Sequence, residues 1–355
     1  MKRTILLAAA AAMLLTACSK GDSSDESSKR EKKAKQTEDP SSQAAPEPSE
    51  AEESQAEPAG TDSLPDGPEW GELYDTKPIS EAYLSGDTSG LDDFQMEIYN
   101  AAADLIDQLI TDGMSDVEKE LAIHDWMVAT CHYDEEELGI FKEMQPHSDD
   151  PHGFLIDHRG ICAGYSTTFQ LMMDMLGIEC LTIHSSAHGE EHAWNMVQLE
   201  GDWYFVDVTW DDPVPDEEGR VIHTYFNSNE EYFLADTHEW DPDAYPRATG
   251  TRLSYGNIAA VDVEDLDDLP QLVGRQLEKN CEDHYYIFKD SEKLGINEEL
   301  MEDGVQFGFD TEGDSWEAKL YKAYHENGCE MVCYEIFKVD RGLAVMPYFV
   351  RDIDF

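Results

Sequence analysis

Apolar residues recur along this chain with two different periods. Between residues 93 and 110, Ile98, Ala102, Leu105, Ile106 and Leu109 fall three and four positions apart, which predicts an amphipathic helix. A second helix is signalled by Ser115-Asp116-Val117-Glu118, a capping box in which each end satisfies a free backbone donor of the other, and runs through Leu121 and His124 to about Val128. A third follows Gly160, with Tyr165, Phe169, Met172, Met173 and Leu176 on its apolar side and Gly177 placed to end it. The period then drops to two. Residues 180–183, 193–199 and 203–210 read as strands, the last two joined across Glu200-Gly201-Asp202. Helices followed by an antiparallel sheet predict an α+β fold over residues 69–255. Residues 256–355 predict a small α/β accessory domain: helices over 266–280 and 316–326, an extended stretch over 285–288, and a hairpin of 331–339 and 343–350 around Asp340-Arg341-Gly342.

The first 68 residues show neither period. Lys2 and Arg3 precede an apolar run over residues 5–15 and the small residues Thr16 and Ala17, the layout of a secretory signal occupying residues 1–17. The run falls short of the roughly 20 residues a membrane-spanning helix needs. Its ending, Leu15-Thr16-Ala17-Cys18, resembles a bacterial lipobox. That resemblance implies cleavage before Cys18, lipid attachment to Cys18 and anchoring at the outer face of the cytoplasmic membrane. Residues 18–68 carry one large apolar side chain, Leu64, among Ser, Glu, Pro, Ala and Lys. Such a segment has no core to offset the entropy of ordering it, and it reads as a disordered acidic tether.

Charge removes whole classes of function. The 355 residues include 24 Lys+Arg against 78 Asp+Glu, a formal net charge of −54. Residues 1–68 hold 8 of the basic and 13 of the acidic side chains, which leaves 16 against 65 on the remainder. Beyond residue 68, a surface this acidic offers neither the cations that release counterions from nucleic acid nor a polybasic patch for anionic lipid. It would attract cationic substrates such as Lys-bearing amines only by long-range steering.

Three residues can act together. Cys162 lies at the predicted start of the third helix, where free backbone N–H groups and the dipole favour a thiolate and could also hold an oxyanion. His192 opens one strand of the hairpin and Asp207 lies within the next. A two-residue loop at Glu200-Gly201 makes paired positions sum to 401, setting Asp207 diagonal to His192 on one face of the sheet; a three-residue loop puts the two on opposite faces. His184, His188 and His192 are spaced by four, as zinc ligands on a helix can be. Ser185, Ser186 and Gly189 between them and strands on either side argue against a helix, so no metal or cofactor is expected. Cys131, Cys180, Cys281, Cys329 and Cys333 suggest no disulfide framework, because Cys329 and Cys333 share a strand and lie too far apart to bridge.

Gly160-Ile161-Cys162-Ala163-Gly164-Tyr165-Ser166, then His192-Ala193-Trp194-Asn195, then Trp203 through Val206-Asp207-Val208-Thr209-Trp210-Asp211-Asp212-Pro213 resembles the transglutaminase-like superfamily in order and separation. Thr130 to Asp134 upstream, and Tyr225-Phe226-Asn227 and His238-Glu239-Trp240-Asp241 downstream, extend the resemblance to about residues 93–250. It implies a papain-like core with Cys162 as nucleophile, His192 as its base and Asp207 as the group that orients His192. The implied activity is that of a thiol acyltransferase or peptidase on peptide or protein amides, working through a thioester. The competing expectation, from another class, is a noncatalytic transglutaminase-like module that binds or scaffolds at the cell surface.

Overall fold

The computed structural model describes residues 72–134, 145–212, 220–279 and 281–351. The signal segment, Cys18, the tether and Pro213 lie outside the described residues. Three helices come first: α1 (Lys77–Ser85), α2 (Asp93–Leu109) and α3 (Asp116–Thr130). Helix α3 opens on Ser115, whose backbone N–H and hydroxyl both donate to the Glu118 carboxylate at 2.7 Å. Two short strands, β1 (His132–Tyr133) and β2 (Arg159–Gly160), pair in parallel and deliver the chain to α4 (Cys162–Met175).

Helix α4 is buried on nearly every side, as its near-continuous run of apolar and small residues from Gly164 to Met175 demands. Its N-terminal turn presses against the segment before it. A Cβ at Gly164 would overlap the Phe154 ring and the Ser148 carbonyl oxygen. That carbonyl is already tied down, accepting the Ile161 N–H at 2.8 Å. Glycine at this position is therefore what allows the chain to cross the start of α4 so closely.

Strands β3 (Cys180–Ala187), β4 (Glu190–Leu199), β5 (Asp202–Val206) and β6 (His238–Glu239) form an antiparallel sheet in the order β5-β4-β3-β6. The two-residue loop is the one the chain adopts: Leu199 pairs with Asp202 and Asn195 with Val206. Glu200 and Gly201 both take positive φ, 51° and 92°, the backbone twist that matches two-residue hairpins. The pleat splits the sheet's apolar residues into two sets. Cys180, Val197, Leu199, Tyr204 and Val206 join the helices in one core, while Ile183, Trp194, Met196 and Phe205 pack with Phe233 and Ala248 in another.

One expectation needs correction. Strand β5 ends at Val206 rather than near Trp210, and a short helix α5 (Val208–Asp211) follows. Asp207 is its N-cap, accepting the Trp210 N–H at 3.2 Å, so this side chain's competition for backbone donors stops the ladder. The short helices α6 (Glu230–Ala235) and α7 (Tyr255–Ala259) complete this part of the chain.

The C-terminal residues add β7 (Val261–Val263), α8 (Leu269–Leu277), β8 (Tyr286–Phe288), α9 (Glu298–Asp303), α10 (Trp316–Glu326), β9 (Cys329–Val339) and β10 (Gly342–Arg351). Their sheet runs β7-β8-β10-β9, with the β7–β8 pair parallel. Tyr334, Ile336 and Val345 face a core with Leu269, Val273, Leu320 and Tyr324 of the helices. Val339, Ala344 and Met346 instead join the core built around α4, reaching it beside Tyr255, Cys281 and Tyr285. No helix among the described residues is long and apolar enough to cross a membrane.

A buried acid makes this core sensitive to pH. Glu120 of α3 is fully buried and accepts one hydrogen bond, from Asn227 Nδ2 at 2.8 Å. Burial pushes its carboxyl up to about 8, against the pull of Asn227 and His124. An unfolded chain loses this proton from pH 4.5 upward while the folded chain keeps it until about 8, so stability falls as pH rises through that window. In urea titrations Glu120→Gln should flatten this dependence, exceeding the wild-type stability at pH 8.5 by on the order of 1–3 kcal/mol and approaching it near pH 5.

Candidate active site

The local sequence around Cys162 dictates its setting. Ile161 is extended (φ −113°, ψ 179°) and accepts the Tyr165 N–H at 3.0 Å, which makes Cys162 the first residue of α4. The N–H groups of Cys162, Ala163 and Gly164 consequently have no carbonyl one turn back within the helix. The thiol is half-buried.

Two strands hold its partners. His192 lies near the start of β4, buried to 6 % exposure, and hydrogen-bonds through Nε2 to Asp207 Oδ2 at 2.7 Å. With Nε2 taken by Asp207, Nδ1 is the ring nitrogen left for an interaction with the Cys162 sulfur. Burial works against a charged ring here, but the Asp207 carboxylate and the Cys162 sulfur outweigh it and hold His192 up to about 10. Asp207 is fully buried; burial alone would raise its pKa, yet His192 and His238 keep it well below the usual carboxylate range. The imidazole is thereby set between a buried carboxylate and a sulfur, in surroundings that favour its protonated form.

The sequence pattern did not single out His238 as part of this cluster. From β6 its Nε2 reaches Asp207 Oδ2 at 3.2 Å, while its Nδ1 is buried without a hydrogen-bond partner. It lies 31 positions from Asp207, and no spacing rule connects the two. The Asp207 carboxylate thus takes His192 and His238 on one oxygen and the Trp210 N–H on the other. Trp210 also stacks on the His192 ring, with centroids 4.8 Å apart and planes at 26°, and Trp194 lies beyond at 5.9 Å and 20°. These rings fix the tilt of the imidazole and shield its bond to Asp207 from water.

A second network fixes α4 relative to the strands. Asn195 Nδ2 donates to the Ser166 carbonyl at 3.0 Å and to Thr182 Oγ1 at 3.0 Å, and the Thr182 hydroxyl donates to Gln170 Oε1 at 2.7 Å. Asp211 Oδ2 meets His124 Nε2 of α3 at 3.0 Å, and Asp212 accepts the Tyr165 hydroxyl of α4. The consecutive acids after Trp210 therefore clamp the end of α5 to two helices.

Neither metal pattern around these residues builds a cradle. His184 sits on β3 and pairs with Glu191 at 2.8 Å, and His188 occupies the turn after it with φ 52°. His192, Asp207 and His238 converge on one carboxylate oxygen, at separations of hydrogen-bond length on the His192 side. A shallow groove of about 530 Å³ lies toward the other end of α4, bounded by Tyr74, Lys77, Ser80, Gln170, Asp174 and Glu179, and contains none of the three candidate residues.

An α+β fold with a cysteine at the N-terminus of a central helix, packed on an antiparallel sheet that carries a histidine–aspartate pair, is the papain-like arrangement. Residues 103–208 match the family model of the transglutaminase-like superfamily, and the chain carries a domain of that superfamily. The kyphoscoliosis peptidase of Mus musculus is 29 % identical over 164 residues, covering 43 % of this chain and 24 % of that protein. The Homo sapiens kyphoscoliosis peptidase is 30 % identical over 156 residues, covering 40 % and 23 %. The chain thus spans about a quarter of the length of the curated relatives it matches. A crystal structure of a TGase aligns with a TM-score of 0.31 and 18 % identity over 39 % of this chain and 38 % of that one.

The electrostatics give a signed expectation for any amide cleavage at this site in which protonated His192 donates to the leaving amine. Its alkaline limit should fall near pH 10, where His192 loses its proton. Asp207→Asn removes the charge that holds His192 up, so that limit should move down toward 6.5, with a rate loss of about 10²- to 10⁴-fold. An NMR pH titration of the His192 imidazole in both proteins reads the shift, and an unmoved pKa would show that Asp207 does not tune His192.

Proposed function

We propose that this protein is a lipid-anchored, extracytoplasmic thiol acyltransferase or peptidase acting on peptide or protein amides. The observation that carries the reading is the His192–Asp207 hydrogen bond of 2.7 Å beside a half-buried cysteine at a helix start. In the proposed reaction Cys162 Sγ attacks the amide carbonyl carbon and His192 holds the thiol's proton. The carbonyl oxygen, now negative, sits at the free N–H groups at the start of α4. Collapse breaks the C–N bond, the proton on His192 leaves with ammonia or an amine, and a thioester to Cys162 remains. An incoming amine or water then gives its proton to His192 as it displaces the sulfur, completing transamidation or hydrolysis. Asp207 keeps the imidazole in the orientation and tautomer that presents Nδ1 to the sulfur.

The apolar run before Cys18 and the featureless acidic segment after it support the anchoring half of the proposal: a lipid on Cys18 would tether the folded domain by a chain that stands off the membrane. A net charge of −54 makes covalent lipid a more plausible means of attachment than electrostatic binding to an anionic surface.

Labelling with a thiol-reactive amide-mimic probe tests the chemistry. Wild-type protein should label rapidly, Cys162→Ala should not label at the site, and His192→Ala should label at least about 10²-fold more slowly. Equal labelling of all three would sink the enzyme reading and favour a noncatalytic surface module. In bacterial cells Cys18→Ser should move the protein from the membrane to the soluble fraction and abolish incorporation of a fatty-acid label; unchanged membrane association would remove the anchoring proposal.

A further inference from the structure

Away from Cys162, a second group of chemically capable side chains gathers where the two parts of the fold meet. His223 lies in the stretch before α6, and Cys281 and Asp283 lie in the stretch before β8. All are buried or nearly so, with the His223 side chain 1 % and the Asp283 side chain 10 % exposed. His223 Nδ1 faces Cys281 Sγ at 3.5 Å and Asp283 Oδ2 at 3.4 Å. The three ligand-type atoms all lie within 4.8 Å of one another.

The distances separate two accounts of this group. A histidine N–H donating to a carboxylate settles at about 2.7–3.2 Å. The other nitrogen of this ring does so, with Nε2 at 2.8 Å from Asp125 Oδ1. Nδ1 is too far from Asp283 for a good bond of that kind. Tetrahedral zinc, with Zn–S about 2.3 Å and Zn–N or Zn–O about 2.0–2.1 Å, holds neighbouring ligand atoms about 3.3–3.6 Å apart. Both observed separations fall in that interval.

The surroundings fit a metal in a second way. Zinc-bound histidines usually give their remaining ring N–H to a carboxylate, which fixes the ring and the tautomer. Asp125 takes that position on His223, and Asp125 is held in turn by His124 Nδ1 at 3.1 Å. The Tyr255 ring lies flat on the His223 ring, centroids 3.5 Å apart and planes at 3°. The Tyr255 hydroxyl reaches Cys281 Sγ at 3.2 Å and the Asp283 N–H points to the same sulfur at 3.4 Å, two donors suited to a thiolate. The Asp283 carboxylate also accepts the His223 backbone N–H, which holds it beside the ring.

We propose that His223 Nδ1, Cys281 Sγ and Asp283 Oδ2 bind a zinc ion, with Asp125 orienting His223 and water in the fourth position. The ion joins the stretch before α6 to the stretch before β8 and, through Asp125, to α3, fastening the C-terminal sheet to the core around α4. His223 and Cys281 are 58 positions apart, so no ligand spacing in the sequence reveals the site.

Cobalt, which takes zinc sites and reports thiolate ligation by a charge-transfer band, tests this on the full chain after chelation. About one cobalt per chain should bind with that band, and added zinc should displace it. The band should persist in Cys162→Ala and vanish in Cys281→Ser. Asp283→Asn and Asp125→Asn, which keep the thiol, should each weaken zinc about tenfold or more while retaining a cooperative unfolding transition. The proposal is overturned if the wild-type chain takes up no stoichiometric cobalt or zinc. It is equally overturned if the band disappears in Cys162→Ala but survives in Cys281→Ser, or if both Asp→Asn variants bind zinc as tightly as the wild type.

Discussion

A carboxylate taken out of water must find other donors, and the geometry around Cys162 follows from how Asp207 finds them. Its two oxygens receive the Trp210 N–H, His192 and His238. The first of these ends β5 and turns the chain into α5. The second fixes the imidazole that faces the cysteine, and the third brings β6 to the edge of the sheet beside β3. Removing the charge would leave buried donors facing a weaker acceptor, so one side chain couples local backbone shape to the state of the site.

Most of the residues around that centre hold elements in place rather than reach toward a substrate. Asn195 links the helix that starts with Cys162 to the strand that carries His192, through the Ser166 carbonyl and Thr182. Asp211 and Asp212 tie the end of α5 to α3 and α4, and Gly164 gives the preceding segment room to pass. A cysteine and a histidine can exchange a proton only if helix and sheet are set within a fraction of an ångström, and this set of buried hydrogen bonds fixes the helix against the sheet.

The helices over 93–110, 115–128 and 316–326 were legible because each buries a stripe against neighbours it meets along its length, and the stripe writes its period into the chain. The hairpin register was legible as one of two alternatives, since a two-residue loop fixes the pairing sum. The end of β5 was not, because the residues after Val206 keep a β-like composition and the deciding event is a side-chain hydrogen bond from the Trp210 N–H to Asp207. His238 was visible in the chain but not its partner, since the 31 positions between it and Asp207 close only when β6 pairs with β3.

The sequence by itself determined the longer helices and the central hairpin, the acidic balance, and the cysteine, histidine and aspartate that could act together, because periodicity, net charge and short motifs are local or additive properties. Tertiary structure alone decided which nitrogen of His192 faces Asp207, that His238 shares that carboxylate, and that His223, Cys281 and Asp283 converge. Those outcomes depend on distances of a few ångströms between residues tens of positions apart. Such distances are set by the packing of α4 against the sheet and of the C-terminal strands against the same core, and no local pattern contains them.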